Sequence, residues 1–292
     1  MPIEAAMRQT MALLSQTEAA AALGASLARG VAVPPVVADR LAAVTALLDP
    51  AAMQDLSDPE AAILRSIIRT FFRQALDLLE NPGRPAQWSF DDPVILQNIG
   101  QTSRALVPMI AAMAARTPDL AARFAKAGRF LDVGSGVGWL AIDAARAWPA
   151  LTVEGIDVFE PALALAAQNL PGSGVENRVS FRHLDVTALD ASAAYAAAWF
   201  AAPFIPAAVV PAALAALHHG LEPDGWLFFG LFRAPPVPLP QALLNLRITR
   251  SGGYPWSVDA VRTLFDNHGF RFVDLLESNG PGQIVAGRRI GS

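Results

Sequence analysis

The stretch Phe130-Leu131-Asp132-Val133-Gly134-Ser135-Gly136-Val137-Gly138-Trp139 decides the fold of this chain. Its first four residues have the apolar character of a buried β-strand, its three glycines form a loop, and a helix is predicted from Trp139 onward. Because glycine has no Cβ, such a loop can turn tightly and bring its backbone directly against a ligand. A strand, a glycine loop and a helix in this order predict a ligand site at the end of the strand, although a plain strand-to-helix turn has the same appearance.

The spacing of the glycines separates two cofactor classes. The dinucleotide fingerprint G-x-G-x-x-G places its third glycine five positions after the first. That position is Trp139 here, and the third glycine, Gly138, comes one residue earlier. The spacing therefore argues against a dinucleotide such as NAD.

Acidic residues end the next two apolar strands. Asp157 closes a predicted strand at 151–157, about 20 residues after the loop, and Asp185 follows a strand predicted to begin at Arg178. An acid at the first of these positions can accept hydrogen bonds from both hydroxyls of a ribose. It can also cap the helix that Glu160 and Pro161 begin, and the two roles are compatible.

These elements together resemble the motifs of the class I S-adenosylmethionine-dependent methyltransferases, small-molecule type. The pattern D-x-G-x-G-x-G from Asp132 to Gly138 is similar to motif I of that family. Leu221-Glu222-Pro223-Asp224-Gly225 is similar to its L-x-P-G-G turn before the fifth strand, with Asp224 in place of the first glycine. The resemblance implies S-adenosylmethionine as the cofactor.

The resemblance also implies the fold, which is an α/β Rossmann-like domain. We expect a seven-stranded, mostly parallel sheet with helices on both faces, preceded by an all-α N-terminal cap domain. Five βα units are expected over residues 129–232, followed by two strands at 270–276 and 283–288. The turn of that last hairpin is predicted at Asn279-Gly280-Pro281-Gly282.

The family's contacts with its cofactor are carried over to the matching positions of this sequence. Asp157 is expected to contact the ribose, and Asp185 the adenine. The predicted cofactor-binding residues are Asp132, Gly134, Ser135, Gly136, Gly138, Asp157, Val158, Asp185, Val186 and Trp199.

The residues before the glycine loop are predicted to be helical. Three helices are expected at 17–28, at 35–48 and from Asp58, the last with Asp58 as its N-cap and Pro59 at the first helical position. Two more are expected at 102–115, bent at Pro108, and at 118–126. We therefore predict a helical cap or dimerisation domain over residues 1–95 and a methyltransferase domain over 96–292. A homodimer through the N-terminal helices is possible.

Composition excludes several other classes of protein. The net charge of −4 offers no basic surface to a phosphate backbone, so no nucleic-acid partner is expected. The chain has no cysteine, which is compatible with a cytoplasmic location, and its four histidines show no metal-ligand spacing, so no metal is expected. Residues 191–217 carry no charge, but three prolines interrupt any helix there, and no membrane span is expected.

The acceptor side of the site departs from the family. Many members that methylate oxygen carry a histidine base just after the fourth strand, whereas residues 199–206 here contain neither a histidine nor a carboxylate. The same loop keeps only Ala202-Pro203-Phe204 of the [D/N/S]-P-P-[F/Y/W] motif that nucleobase N-methylation requires. Aromatic side chains remain to line a pocket for an apolar acceptor, with core packing as the alternative for each: Trp88, Phe90, Phe200, Phe204, Tyr254 and Trp256.

The sequence therefore predicts methyl transfer from S-adenosylmethionine to an oxygen, nitrogen or carbon of a small apolar or aromatic metabolite. Catalysis is expected to come mainly from proximity and desolvation, and no catalytic residue is assigned. A non-enzymatic scaffold or partner protein with the same fold is the first alternative. An NAD-dependent oxidoreductase is the second, disfavoured by Trp139 and by the absence of a Tyr-x-x-x-Lys pattern.

Overall fold

The computed structural model describes residues 2–28, 30–48, 56–277, 280 and 282–291. The chain divides into two compact units, Met1–Arg84 and Pro85–Ser292.

The first unit contains three helices: α1 (Pro2–Ser26), α2 (Pro35–Thr45) and α3 (Asp58–Glu80). Helix α1 packs against both others, and Gly24 lets it approach Ile68 of α3 closely. Helix α1 begins 15 residues before the predicted Thr17, and α2 ends before Asp49-Pro50, which lie outside the described residues.

The N-cap of α3 is Ser57, so the prediction of Asp58 was wrong. The Glu60 carboxylate accepts hydrogen bonds from the backbone N–H and the hydroxyl of Ser57, at 2.8 and 2.6 Å. This capping box needs a spacing of three residues, which Ser57 and Glu60 have.

Three helices precede the sheet in the second unit: α4 (Pro93–Ser103), α5 (Leu106–Arg116) and α6 (Pro118–Phe124). The single bent helix predicted at 102–115 was wrong, because α4 ends at Ser103 and a new helix begins at Leu106. Pro108 lies in the first turn of α5, where its missing N–H would have no partner within the helix, so it causes no bend. Helix α4 begins with a proline after Asp92, whose side chain accepts from Val94 N–H at 2.8 Å.

The predicted seven-stranded, mostly parallel sheet is confirmed. Its strands lie in the order β3-β2-β1-β4-β5-β7-β6, with β1 to β5 parallel and β7 antiparallel to both of its neighbours. In chain order the strands are Gly128–Val133, Leu151–Asp157, Val179–His183, Tyr195–Phe200, Leu221–Phe232, Phe270–Glu277 and Gly282–Arg289. Asn279 and Pro281 of the predicted hairpin turn lie outside the described residues.

Helices cover both faces of the sheet. The helices that follow β1 in the chain are α7 (Trp139–Ala147), α8 (Glu160–Asn169), α9 (Val210–Gly220), α10 (Pro238–Arg250) and α11 (Val258–Asn267). Side chains of a strand alternate between faces, so Phe228 packs in a core with α5, α6 and α7, and Phe229 in a second core with α9 and α11. Because both faces are buried, the central strands are apolar throughout.

The order of the strands reverses on either side of β1, and this edge positions the site. The chain leaves β1 toward β2, while β4 lies on its other side. Gly134 N–H donates to Ile156 C=O at 2.9 Å, and Ala201 N–H donates to Val133 C=O at 3.1 Å. The loops after β1, β2 and β4 therefore meet at the carboxyl edge of the sheet, where open α/β folds bind ligands.

No helix in the described part of the chain is both long and apolar enough to cross a membrane.

Candidate functional site

The glycine loop between β1 and α7 has a conformation that only glycine adopts easily. Gly134, Gly136 and Gly138 have φ of +74°, +53° and +81°. A Cβ at Gly134 would come within 2.9 Å of the Ala201 Cβ, and one at Gly138 would overlap the Phe181 ring. At Gly136 a Cβ would meet nothing within 4 Å. The loop is closely packed at its two ends and open in the middle, where a ligand can approach the backbone.

Asp157 holds the open middle of this loop. Its Oδ2 accepts from the N–H of Gly136 at 2.8 Å, and its Oδ1 accepts from the N–H of Phe159 at 2.9 Å. Burial raises the pKa of Asp157, and these backbone donors oppose the rise. The carboxylate at the end of β2 is thus fixed beside the glycine loop, and each of its oxygens retains a lone pair for a further donor.

Asp132, the last residue but one of β1, is buried beneath the loop with 1% of its surface exposed. Among the described residues neither of its carboxylate oxygens has a hydrogen-bond partner, and the same holds for the buried Oγ of Ser135. Burial, and after it the charge of Asp157, raise the pKa of Asp132 to about 8, while the Ala141 N–H in α7, which lies nearby without forming a hydrogen bond of normal geometry, lowers it. Burial therefore favours the neutral form of Asp132.

Buried polar atoms are nearly always hydrogen-bonded in proteins, so unpartnered ones require an explanation. Three such oxygens, two on Asp132 and one on Ser135, lie together at a glycine loop that leaves room for a ligand. Polar groups on a bound molecule, whether donors or acceptors, would satisfy them. The residues present therefore fit a ligand with polar groups at its loop-facing end.

Asp185, Val186 and Val158 follow the next two strand ends. Asp185 Oδ1 accepts from both the N–H and the hydroxyl of Thr187, at 2.8 Å each, and so caps a short 3-10 turn after β3. Val186 is buried in the second core, whereas Val158 is 61% exposed. The three residues lie along the same carboxyl edge as Asp157.

Trp199 lies next to Asp132 in the sheet, since the two residues are paired across β1 and β4. Its indole is buried against β5, where a Cβ at Gly230 would overlap the ring. Phe200, the next residue, faces the opposite side and packs against Phe229 with ring centres 5.2 Å apart. Trp199 therefore shares the buried face of Asp132, and Phe200 belongs to the second core.

The predicted acceptor residues form two groups. Trp88, Phe90 and Phe204 meet edge to face, with ring centres 5.8 Å apart in both pairs that include Trp88. Phe204 also contacts Phe232, the last residue of β5. Phe232 was not predicted to line the site, although residues at the carboxyl end of a parallel strand often lie at a binding site. Tyr254 and Trp256 form a separate pair at 4.6 Å.

The second pair joins the same edge through its loop. A Cβ at Gly253 would overlap the Pro203 carbonyl oxygen, and one at Gly252 would lie 3.1 Å from the Gln87 Cα. The segments around residues 86–90, 201–205 and 251–256 thus converge. Phe200 packs away from them in the second core, and the Trp256 ring also packs against that core, with its centre 6.5 Å from that of Phe229.

In the described residues no group of three or more histidine, aspartate or glutamate side chains could hold a metal ion.

Comparison with known proteins agrees with this architecture. The sequence profile of a family described as "Methyltransferase domain" matches residues 130–225. Among curated proteins none matches the chain in sequence.

Several solved structures share the fold over nearly the whole chain. The S-adenosylmethionine-dependent methyltransferase SibL is 21% identical, with a TM-score of 0.65 over 96% of this chain and 98% of that one. An O-methyltransferase family protein from Burkholderia thailandensis is 14% identical, with a TM-score of 0.67 over 98% of each chain. The mitomycin 7-O-methyltransferase MmcR is 19% identical, with a TM-score of 0.66 over 99% of each chain.

Residues 130–225 therefore match a methyltransferase domain, and the chain has the Rossmann-like fold of the class I methyltransferases, as its motifs predicted.

Replacing Asp132 by asparagine should change how stability depends on pH. Between about pH 4 and pH 8 the folded protein keeps a proton on Asp132 that the unfolded chain has released. The free energy of unfolding must then fall as pH rises, by up to about 1.4 kcal/mol per pH unit for this one group. Asp132→Asn removes this contribution, so its stability advantage over the wild type should grow across the window in urea titrations.

The exposed Asp266→Asn is the matched control, and it should show no such trend. A stability difference between wild type and Asp132→Asn that stays constant from pH 4 to pH 8 would show that Asp132 is ionised in the folded protein.

Proposed function

We propose that this protein transfers a methyl group from S-adenosylmethionine to a small apolar or aromatic acceptor. The observation that carries the proposal is the set of unpartnered buried oxygens on Asp132 and Ser135, beside a glycine loop held open by Asp157. Binding of a dinucleotide by this loop is disfavoured, because Trp139 occupies the third glycine position of the dinucleotide fingerprint.

The cofactor supplies a methyl group on a positively charged sulfur, which needs no further activation. The protein's task is therefore to bind, orient and exclude water. Asp132 and Ser135 lie buried under the loop, where their oxygens can form hydrogen bonds with polar groups of the cofactor, and Asp157 offers acceptors to a ribose. The proposed cofactor contacts are Asp132, Gly134, Ser135, Gly136, Gly138, Asp157, Val158, Asp185, Val186 and Trp199.

The acceptor is proposed to lie against the aromatic group of Trp88, Phe90, Phe204 and Phe232. Trp88 also packs beside Val137 of the glycine loop and Phe159, so this group borders the cofactor loop directly. Flat apolar walls suit an aromatic or aliphatic molecule, and a dry site that aligns the reactants can lower the barrier by about 7–11 kcal/mol.

The solved relatives and the loop after β4 support different parts of this proposal. The name mitomycin 7-O-methyltransferase describes transfer to an oxygen of a small molecule, which favours an oxygen acceptor. Residues 199–206 contain no histidine or carboxylate, which favours catalysis by alignment and desolvation over proton abstraction by this loop. Nitrogen and carbon acceptors are compatible with the same walls.

Calorimetric titration tests the cofactor. The wild type should bind S-adenosylmethionine and should not bind NAD. Asp157→Ala should raise the dissociation constant by about ten- to hundredfold, because hydrogen bonds to a charged partner contribute about 1.5–3 kcal/mol. Asp259→Ala, an exposed acid in α11, is the control and should bind normally.

Two outcomes would contradict this assignment. A folded wild type that binds no S-adenosylmethionine would favour the scaffold alternative, and preferential binding of NAD would favour the oxidoreductase. Unchanged affinity in Asp157→Ala would mean that the ribose lies elsewhere.

Labelled methyl groups identify the acceptor. Incubation of the protein with methyl-labelled S-adenosylmethionine and a panel of small hydroxylated and amino aromatic compounds should label apolar members of the panel. Phe204→Ala should raise KM for the acceptor about tenfold or more while leaving cofactor affinity unchanged, because the ring contacts Trp88 and Phe232. Phe272→Ala, on edge strand β6, is the matched control. Labelling restricted to charged, non-aromatic compounds would contradict the proposed class.

The N-terminal helices are proposed to pair two copies of the chain. Ile3, Met7, Met11 and Leu14 lie on one face of α1, and between 47% and 60% of each side chain is exposed. An exposed apolar stripe of this length is typical of an interaction surface. Sedimentation should show a dimer that the double variant Met7→Glu, Met11→Glu converts to a folded monomer, and a monomeric wild type would exclude the pairing.

A further inference from the structure

Three helices meet behind the glycine loop through side-chain hydrogen bonds. Trp139 of α7 donates its indole N–H to Gln97 Oε1 of α4 at 2.8 Å. Gln97 Nε2 donates to Asn169 Oδ1 of α8 at 3.0 Å, and Asn169 Nδ2 donates back to Gln97 Oε1 at 3.2 Å. We call Gln97, Trp139 and Asn169 the loop anchor.

The loop anchor reaches the backbone of the glycine loop itself. Asn169 Nδ2 donates to the carbonyl oxygen of Val137 at 2.9 Å. Val137 stands between two glycines with positive φ, and its carbonyl belongs to the peptide unit that also carries the Gly138 N–H. Asn169 therefore fixes the plane of this peptide on one side of the open middle, and Asp157 fixes the Gly136 N–H on the other side.

Helix α4 packs directly against the glycine loop. A Cβ at Gly100 would overlap the Val137 side chain, so only glycine permits this approach. One turn later Arg104 forms an ion pair with Asp143 of α7 at 2.7 Å, and its guanidinium lies over the Trp139 ring at 5.0 Å. The surrounding side chains form a small apolar cluster of Leu96, Val137 and Ala162 with Trp88, Trp139, Phe159 and Leu165.

The loop anchor is half-buried beside apolar side chains, so the loss of one hydrogen bond is costly because water replaces the lost partner only incompletely. A loop with three glycines also has the most backbone freedom to lose on binding a ligand. A protein that orders such a loop before the ligand arrives binds more tightly, since the ordering cost is no longer subtracted from the binding free energy.

We infer that Gln97 and Asn169 are positioning residues, which set the affinity for S-adenosylmethionine by ordering the glycine loop in the cofactor-free protein. The inference rests on the proposed function. Neither residue needs to touch the cofactor, because Asn169 acts through the Val137 carbonyl and Gln97 acts through Asn169 and Trp139.

The test uses variants that alter single hydrogen bonds in the full chain. Gln97→Ala removes every contact of this side chain, and Asn169→Asp keeps the acceptor for Gln97 but cannot donate to Val137. Gln97→Glu keeps the oxygen that accepts from Trp139 and Asn169 but loses the donation to Asn169 Oδ1, so it is the intermediate variant. Gln101→Ala, one turn further along α4, is the matched control, since the Gln101 side chain accepts from the Arg104 guanidinium at 3.3 Å and lies outside the loop anchor.

Two measurements are made on each variant. Calorimetry should show dissociation constants for S-adenosylmethionine raised about tenfold or more in Gln97→Ala and Asn169→Asp, raised less in Gln97→Glu, and near wild type in Gln101→Ala. Hydrogen exchange on the cofactor-free protein should be faster over residues 134–139 in the first two variants only. Thermal unfolding of each cofactor-free variant shows that all are folded at the temperature of the assay.

The inference is overturned if Gln97→Ala and Asn169→Asp bind and exchange like the wild type. It is also overturned if Gln101→Ala loses affinity to the same degree, since the effect would then follow from the stability of α4. A wild type that fails to bind S-adenosylmethionine overturns the proposed function and this inference together, whereas normal wild-type binding with unaffected variants overturns the inference alone.

Discussion

The hydrogen bonds from the Gly134 and Ser135 N–H groups to the Ile156 carbonyl are the constraint on which the site depends. They bend the chain away from β1 and tie the start of the loop to the end of β2. Every later feature uses this bend: Asp157 lies within reach of Gly136, Asp132 is enclosed under the loop, and α7 begins at Trp139. The bend requires a positive φ at residues 134, 136 and 138, which is why each of them is glycine.

The same bend places two carboxyl groups under opposing influences. Asp132 is enclosed among apolar strands, where desolvation keeps its proton in place. Asp157 is also largely buried, but two backbone N–H groups point at it and favour its charged form. One carboxyl is thus neutral and unpartnered, while its neighbour is oriented by the loop. Because of this difference in environment, the two carboxyl groups beside the loop form different hydrogen bonds.

Much of the fold was predictable, because strongly apolar strands and capped helices are local features. The seven-stranded, mostly parallel sheet and its two C-terminal strands were expected from the family resemblance, and the structure adds the order of the strands. The helix α4 was missed, although Asp92-Pro93 is the same kind of start signal as Ser57-Asp58-Pro59 before α3. The stretch just before it contains Trp88 and Phe90 and is rich in turn-forming residues, so no helix was predicted there. With α4 missed, Gln97 had no helix on which to be placed.

By itself the sequence determined the glycine loop, Asp157 at the end of β2 and Asp185 just after β3, and its resemblance to a known family predicted the class of ligand. These properties depend on residue type and short spacing, which are visible along the chain. Only the tertiary structure decided that Asp132 and Ser135 are unpartnered, that Phe200 faces the second core, and that Gln97 meets Asn169 from 72 positions away. Burial and contact at such separations arise from the packing of helices on the sheet, and no local pattern of residues encodes them.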